Sequence, residues 1–246
     1  MIYLKEFATS LDYENAKNNL PKPNVSLITE NGGVKYLKGE PTPPTPVEHE
    51  YVDLGLPSGT LWATMNMGAN SITDDGLMFQ WGDTQGSRPN QREWEDWNYK
   101  WYNIETNDYT KYNNTDKKVT LDDEDDAAIA SWGDGWHIPS KDQLDELVDN
   151  NYTEVSYETN YLNSGVNGLL VTSLENENTI FLPCSSLEGF YNTYHGNEVL
   201  EMPGDAPDSA FAYSRCLIFF EDGSITTDDD TYRWYGAFIR PVKDAE

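Results

Sequence analysis

The chain has 246 residues and sets 43 Asp and Glu against 16 Lys and Arg, a net charge of −27 at pH 7. Nucleic-acid affinity rests on Lys and Arg contacts to phosphate, so neither DNA nor RNA is expected as a partner, and an anionic membrane surface would repel such a chain. No run approaches the roughly 18 apolar residues that span a bilayer, so membrane insertion is not expected either.

In chain order, Met1-Ile2-Tyr3-Leu4-Lys5-Glu6-Phe7 lacks a basic start followed by an apolar stretch, and the expectation is a protein made and folded in a cytoplasm. Residues 2–7 alternate apolar and polar, which predicts a strand. Thr9 followed by Asp12 marks a helix start, with Leu11, Tyr13 and Ala16 in the helical segment. Val25 to Glu30 and Val34 to Lys38 then flank Asn31-Gly32-Gly33, a hairpin signal because Asn and Gly tolerate positive φ. The result is a small β-α-β-β module over residues 1–40. Its apolar positions Tyr3, Phe7, Leu11, Val25, Leu27 and Tyr36 have little to cover them. Modules of this size usually need a metal, disulfides or partner subunits to fold. These six residues are therefore expected to anchor and oligomerise the chain, three copies burying the faces that one cannot.

Glu40-Pro41-Thr42-Pro43-Pro44-Thr45-Pro46 ends that module, and residues 41–50 read as a linker. Proline fixes φ and removes a backbone donor, so such a run favours an extended, semi-rigid spacer. Five lysines before it (5, 17, 22, 35 and 38) balance five acids (6, 12, 14, 30 and 40), so the whole charge of −27 lies beyond. A neutral foot can dock onto another protein, or onto its own copies, without the long-range repulsion of the acidic part.

From Tyr51 to Thr64 the larger part, residues 51–246, opens with short strands punctuated by Gly and Pro, and Met78 to Gly82 is a further strand. Residues 85–118 are polar but carry Trp94, Trp97, Tyr99, Trp101, Tyr102, Tyr109 and Tyr112, the pattern of a long loop pinned by aromatics. One helix is predicted to start within Asp122 to Asp126 and to run through Ala127-Ala128-Ile129-Ala130 to Trp132, before Gly133. A second follows Pro139-Ser140, where Ser140 and Gln143 form a capping box and Leu144, Leu147 and Val148 an apolar stripe. Strands at 169–174 and 179–184 bracket a turn at 175–178; a strand at 211–220 turns through Asp222-Gly223, and residues 237–242 form the last strand.

Two readings fit Asp122-Asp123-Glu124-Asp125-Asp126. Hard oxygen ligands at this density could hold Ca²⁺, with Asp122, Asp125 and Asp126 as ligands. Alternatively, acids gather where a helix N-terminus needs caps and meets the positive end of its dipole. Trp94, Trp97 and Trp101 could stack on sugar rings or pin their loop to the core. Cys184 and Cys216 suit small buried hydrophobes, and no framework pattern asks for a disulfide between them. No Gly-x-Ser-x-Gly, His-Glu-x-x-His or Gly-rich phosphate loop occurs, and His49 and His195 fall in linker and loop contexts, so no enzyme is expected.

Several segments in sequence order carry a resemblance: 54–63 (Leu-Gly-Leu-Pro-Ser-Gly-Thr-Leu-Trp-Ala), 78–83 (Met-Phe-Gln-Trp-Gly-Asp), 125–128 with Trp132-Gly133, 135–140 (Gly-Trp-His-Ile-Pro-Ser), 180–183 (Ile-Phe-Leu-Pro) and 236–242 (Gly-Ala-Phe-Ile-Arg-Pro-Val). Together, over residues 51–243, they resemble the Fibrobacter succinogenes major paralogous domain, abundant on the surfaces of gut Bacteroidota. That resemblance implies an α+β, C-type-lectin-like fold: two helices, a twisted, mainly antiparallel sheet, and long loops that present a binding surface. It also puts His137 where the family usually has Arg. The family's Tyr-Trp-Ser-Ser type segment is replaced by Tyr191-Asn192-Thr193-Tyr194-His195-Gly196, in ligand-contacting loop territory of such folds, so Tyr191 and Tyr194 join the ligand candidates. The Glu-Pro-Asn, Gln-Pro-Asp and Trp-Asn-Asp motifs of calcium-bridged sugar binding are absent, and so is the reactive cysteine pattern of the related formylglycine-generating enzymes.

Pro23-Asn24-Val25-Ser26-Leu27-Ile28 and Lys35-Tyr36-Leu37 resemble phrases in amino-terminal modules of crAss-like phage virion proteins. This second resemblance, together with the missing export signal that surface members of the first family normally carry, implies a virion component, a short head or tail fibre or capsid decoration protein. Its foot would bind capsid or tail proteins as a homotrimer, and its head would face a host-surface glycan or protein. A secreted bacterial adhesin or glycan-binding protein is the alternative.

Overall fold

A computed structural model describes residues 3–7, 25–29, 35–39, 48–91, 94–95, 98–113, 115–133, 135–185, 192–199, 213–227 and 230–245. The chain divides into two compact units, Met1–Val47 and Glu48–Glu246, and the boundary falls one residue beyond Pro46, the end of the proline-rich stretch.

The smaller unit contains β1 (Tyr3–Phe7), β2 (Val25–Thr29) and β3 (Lys35–Gly39), all antiparallel in the order β1-β3-β2. Register sets Tyr3 and Val25 both opposite Gly39, Leu27 opposite Leu37, and Tyr36 opposite Glu6 and Ile28. Phe7 lies opposite Lys35. Leu11 and the helix expected around it lie outside the described residues.

The larger unit is mixed α+β, mostly sheet, with two helices and a curled sheet. Its strands begin with β4 (Tyr51–Asp53), β5 (Leu61–Ala63), β6 (Met78–Phe79) and the small hairpin β7 (Tyr102–Asn103) and β8 (Asp108–Tyr109). Helix α1 (Ala127–Trp132) and helix α2 (Lys141–Leu147) follow. Asp126 caps α1 through its side chain, and Gly133, at φ 93°, stops it. At α2 the capping box of Ser140 and Gln143 is complete, and the helix turns Leu144 and Leu147 into the core.

Next come β9 (Thr153–Glu158), β10 (Gly168–Ser173) and β11 (Thr179–Pro183), an antiparallel sheet in the order β11-β10-β9. Leu169 and Val171 alternate inward and are fully buried; a side chain of this kind contributes roughly 1.5–3 kcal/mol when removed from water. Gly168 sits where a Cβ would lie 2.4 Å from the Leu182 carbonyl oxygen, so only glycine fits the close strand approach. The curled sheet holds β12 (Asn192–Val199), β13 (Tyr213–Phe219), β14 (Ile225–Thr226), β15 (Asp230–Tyr232) and β16 (Ala237–Phe238), in the order β14-β13-β12-β16-β6 with β15 also on β13. The last strand, β17 (Val242–Lys243), pairs with β5, which also pairs with β4, so both ends of this unit share one small sheet.

The main core joins Trp62, Leu144, Leu147, Leu169, Val171, Leu217, Phe219 and Phe238. His195, expected in a loop, lies in β12 and is buried, because that segment enters the middle of the curled sheet. No disulfide joins the two cysteines: Cys216 is buried, whereas Cys184 is only half-buried, 3.4 Å from the Tyr157 hydroxyl. Among the described residues, no helix is long and apolar enough to cross a membrane.

Candidate functional site

The long aromatic loop and the acidic run meet around one lysine. The ammonium of Lys111 lies 2.7 Å from Asp122 Oδ2, 3.2 Å from Glu124 Oε1 and 2.5 Å from Asp125 Oδ2. Lys100 reaches Asp125 Oδ1 at 3.0 Å, and Lys118 binds Asp122 at 2.7 Å. Their ammonium groups also meet aromatic faces: Lys100 lies 4.4 Å and Lys111 5.2 Å from the Trp101 ring, and Lys111 5.0 Å from Tyr112. Beneath them Tyr112 is fully buried; its hydroxyl donates to Asp125 Oδ2 at 2.7 Å and accepts from the Asp122 backbone N–H at 2.9 Å.

These contacts account for the titration behaviour. Burial opposes ionisation of Asp125, but hydrogen bonds from Lys111, Tyr112 and Lys100 together outweigh it and hold the carboxyl below its usual range. Burial likewise works against the Lys111 charge, and its bonds to Asp122, Asp125 and Glu124 overcome it, raising its pKa.

The ligand atoms of Asp122, Glu124 and Asp125 all lie within 4.8 Å of one another, the geometry of a potential cation site. Lys111 contacts all three carboxylates, so an ammonium supplies the countercharge that Ca²⁺ would otherwise bring. Asp126 does not join them. Its Oδ1 accepts from the backbone N–H of Ala128 and Ile129 at 2.8 and 3.1 Å, and its Oδ2 from Ile138 at 2.8 Å. That carboxylate joins the start of α1 to the segment before α2, so the ligand reading of Asp126 is replaced by a capping role. Burial raises its pKa despite the three donors.

The aromatic candidates separate in the same way. Trp94 is buried; its indole N–H donates to the Pro89 carbonyl at 3.1 Å, and its ring covers Gly236, where a Cβ would come within 2.5 Å. Tyr194 is a core residue whose hydroxyl donates to the Pro183 carbonyl at 2.9 Å and accepts from Asn66 Nδ2 at 3.1 Å. Both are corrected from ligand contacts to core side chains, because a ring with no open face cannot receive a sugar. Trp101 is half-buried beside the lysine cluster, and Trp97 and Tyr191 lie outside the described residues. Of the anchoring candidates, Tyr3, Phe7, Val25, Leu27 and Tyr36 lie on the three strands of the smaller unit.

Two buried arginines hold the loops in place. Arg233 donates from Nε to the Tyr99 hydroxyl at 3.1 Å and from Nη1 and Nη2 to the carbonyls of Tyr112 and Lys111 at 3.0 and 3.1 Å. Its guanidinium carbon lies 4.9 Å from the Trp81 ring and 4.6 Å from Tyr109. Arg240 donates to Asn66 Oδ1 and to the carbonyls of Ala63, Thr64 and Phe181, joining β5 to β11. Neither arginine stood out in the sequence, because the groups they bind are carbonyls distant in the chain, which leave no residue-type signal.

On the surface, Tyr213 and Tyr232 face each other across β13 and β15 with ring centroids 4.6 Å apart, and Tyr232 stacks on Trp234 at 5.1 Å. Their grouping was hidden because strand register alone unites residues 213, 232 and 234. No family model, curated protein or solved structure matches this chain.

Proposed function

We propose that the chain is a virion structural protein of a bacteriophage: a short head or tail fibre, or capsid decoration protein, held by its first 40 residues and presenting a C-type-lectin-like head to a host-surface glycan. The division of the chain carries this reading. A neutral unit and a unit bearing the whole charge of −27 part between Val47 and Glu48, just past the last residue of the proline run, Pro46. At 47 residues the smaller unit is close to the size below which chains usually need partner subunits to fold, which favours assembly with capsid or tail proteins and as a homotrimer. The head's two helices, curled sheet, shared strand pairing of its two ends and long loop 98–125 are compatible with a lectin-like fold. Internal ammonium groups supply countercharge in that loop, consistent with adhesion that needs no calcium.

The test is mass spectrometry and immunogold labelling of purified phage particles, with light scattering of the full chain. Presence in the particle and a trimeric mass are the expected results. A stable monomer absent from particles overturns the proposal, and recovery of the protein from bacterial surface fractions would turn it toward a secreted adhesin.

A further inference from the structure

We propose that the aromatic row Tyr213, Tyr232 and Trp234 is where the head takes its ligand, and that this ligand is an uncharged glycan. The inference rests on the glycan-adhesion reading above and assigns it a place and a substrate class.

A turn directly after β15, closed by the Tyr235 N–H donating to the Tyr232 carbonyl at 2.9 Å, builds the row. Tyr232 and Trp234 turn outward while Arg233 between them turns in and is buried against Trp81, Tyr99, Tyr109 and Tyr112. Register then brings Tyr213 beside Tyr232. The rings of Tyr232 and Trp234 are close to parallel, at 19°, and Tyr235 closes the row edge-on to Trp234 with centroids 6.0 Å apart. Tyr213 and Trp234 pack on the buried pair Tyr99 and Tyr109, so the row is set on a firm base. Even so, Tyr232 remains 43% exposed and Tyr213 and Trp234 are only half-buried.

Rings held this way lose little side-chain freedom on binding, and their phenol and indole tips provide polar contacts beside apolar area. A pyranose offers the matching pair of features, a C–H face and a rim of hydroxyls. Charge narrows the class: the head carries −27, so glycans rich in uronate, sialate or sulfate would be repelled, and neutral sugars would not.

Electrophoresis of the full chain through gels containing mannan, galactan, mixed-linkage β-glucan or polygalacturonate tests this. We expect retardation by at least one neutral polymer and none by polygalacturonate. Tyr232→Ala should weaken the retardation about tenfold, the scale of one lost aromatic contact. Leu162→Ala, a change at a still more exposed apolar residue outside the row, should leave it intact. Tyr232→Leu, which keeps an apolar side chain suited to a strand, should lose binding while retaining the native far-UV circular dichroism and a cooperative melt. Retardation that survives both Tyr232 variants, equal retardation by polygalacturonate, or no retardation by any neutral polymer overturns the inference. Detection of the chain in virions is independent of these results, so the fibre reading and the glycan inference can fail separately.

Discussion

The ammonium of Lys111 lies 2.5 Å from Asp125 Oδ2, joining the long aromatic loop to the acidic turn before α1. Asp125 is only 4% exposed, so its charge depends on partners rather than water.

Replacing Lys111 with Met therefore removes a group that contacts all three carboxylates. Lys100 and the Tyr112 hydroxyl still serve Asp125, and Lys111 is itself partly solvated, so the expected loss is about 2 kcal/mol rather than the full cost of a broken buried pair. Urea titration of both chains measures it. In the same experiment, EDTA or added Ca²⁺ should leave the wild-type midpoint unchanged, whereas Ca²⁺ should stabilise Lys111→Met. A chelator-sensitive wild type would contradict the internal countercharge.

Acid should weaken the fold through His195. Its Nε2–H donates to the Phe79 carbonyl at 2.8 Å, and burial depresses its pKa from 6.5 to about 4. The unfolded chain thus takes up the proton first, and stability that is full above pH 6.5 is lost as the pH falls toward 4, by about 3 kcal/mol. Asp126, whose pKa is raised, pulls the other way in acid, so the comparison must be with His195→Asn. That variant should show a flatter fall between pH 7 and pH 4.5 in urea midpoints; parallel profiles would remove His195 as the cause.

Asp126→Ala strips acceptors from three backbone N–H groups, those of Ala128, Ile129 and Ile138. Loss of a cap plus a buried donor left without a partner should cost about 3 kcal/mol, read as a lower melting temperature. Asp126→Asn keeps an oxygen for the cap but cannot serve both sides equally, and an intermediate value is expected.

Arg233→Lys retains charge but not the planar fork that reaches Tyr99, Tyr112 and Lys111 together. A loss of about 2–3 kcal/mol is expected. Hydrogen exchange should accelerate selectively over residues 99–113, and uniform acceleration across the head would argue against a local clamp.

Local chemistry made much of this architecture legible. The strand alternation at 3–7, the hairpin glycines at 32–33, the Ser140–Gln143 box and the turn at 175–178 act over a few residues, and the strands and helix α2 lie close to where those signals put them. Composition similarly determined the separation of a neutral foot from an acidic head.

Only the tertiary structure decided which side chains face out. Trp94 and Tyr194 carry the same ring chemistry as Trp234 and Tyr232, yet the first two fill the core and the latter two line the surface. The acidic run was plain in the sequence, but whether Asp125 met a metal, water or Lys111 depended on where a distant loop folded back. Periodicity and capping are local, whereas burial and charge pairing arise from contacts between residues far apart in the chain, and those require the packed fold.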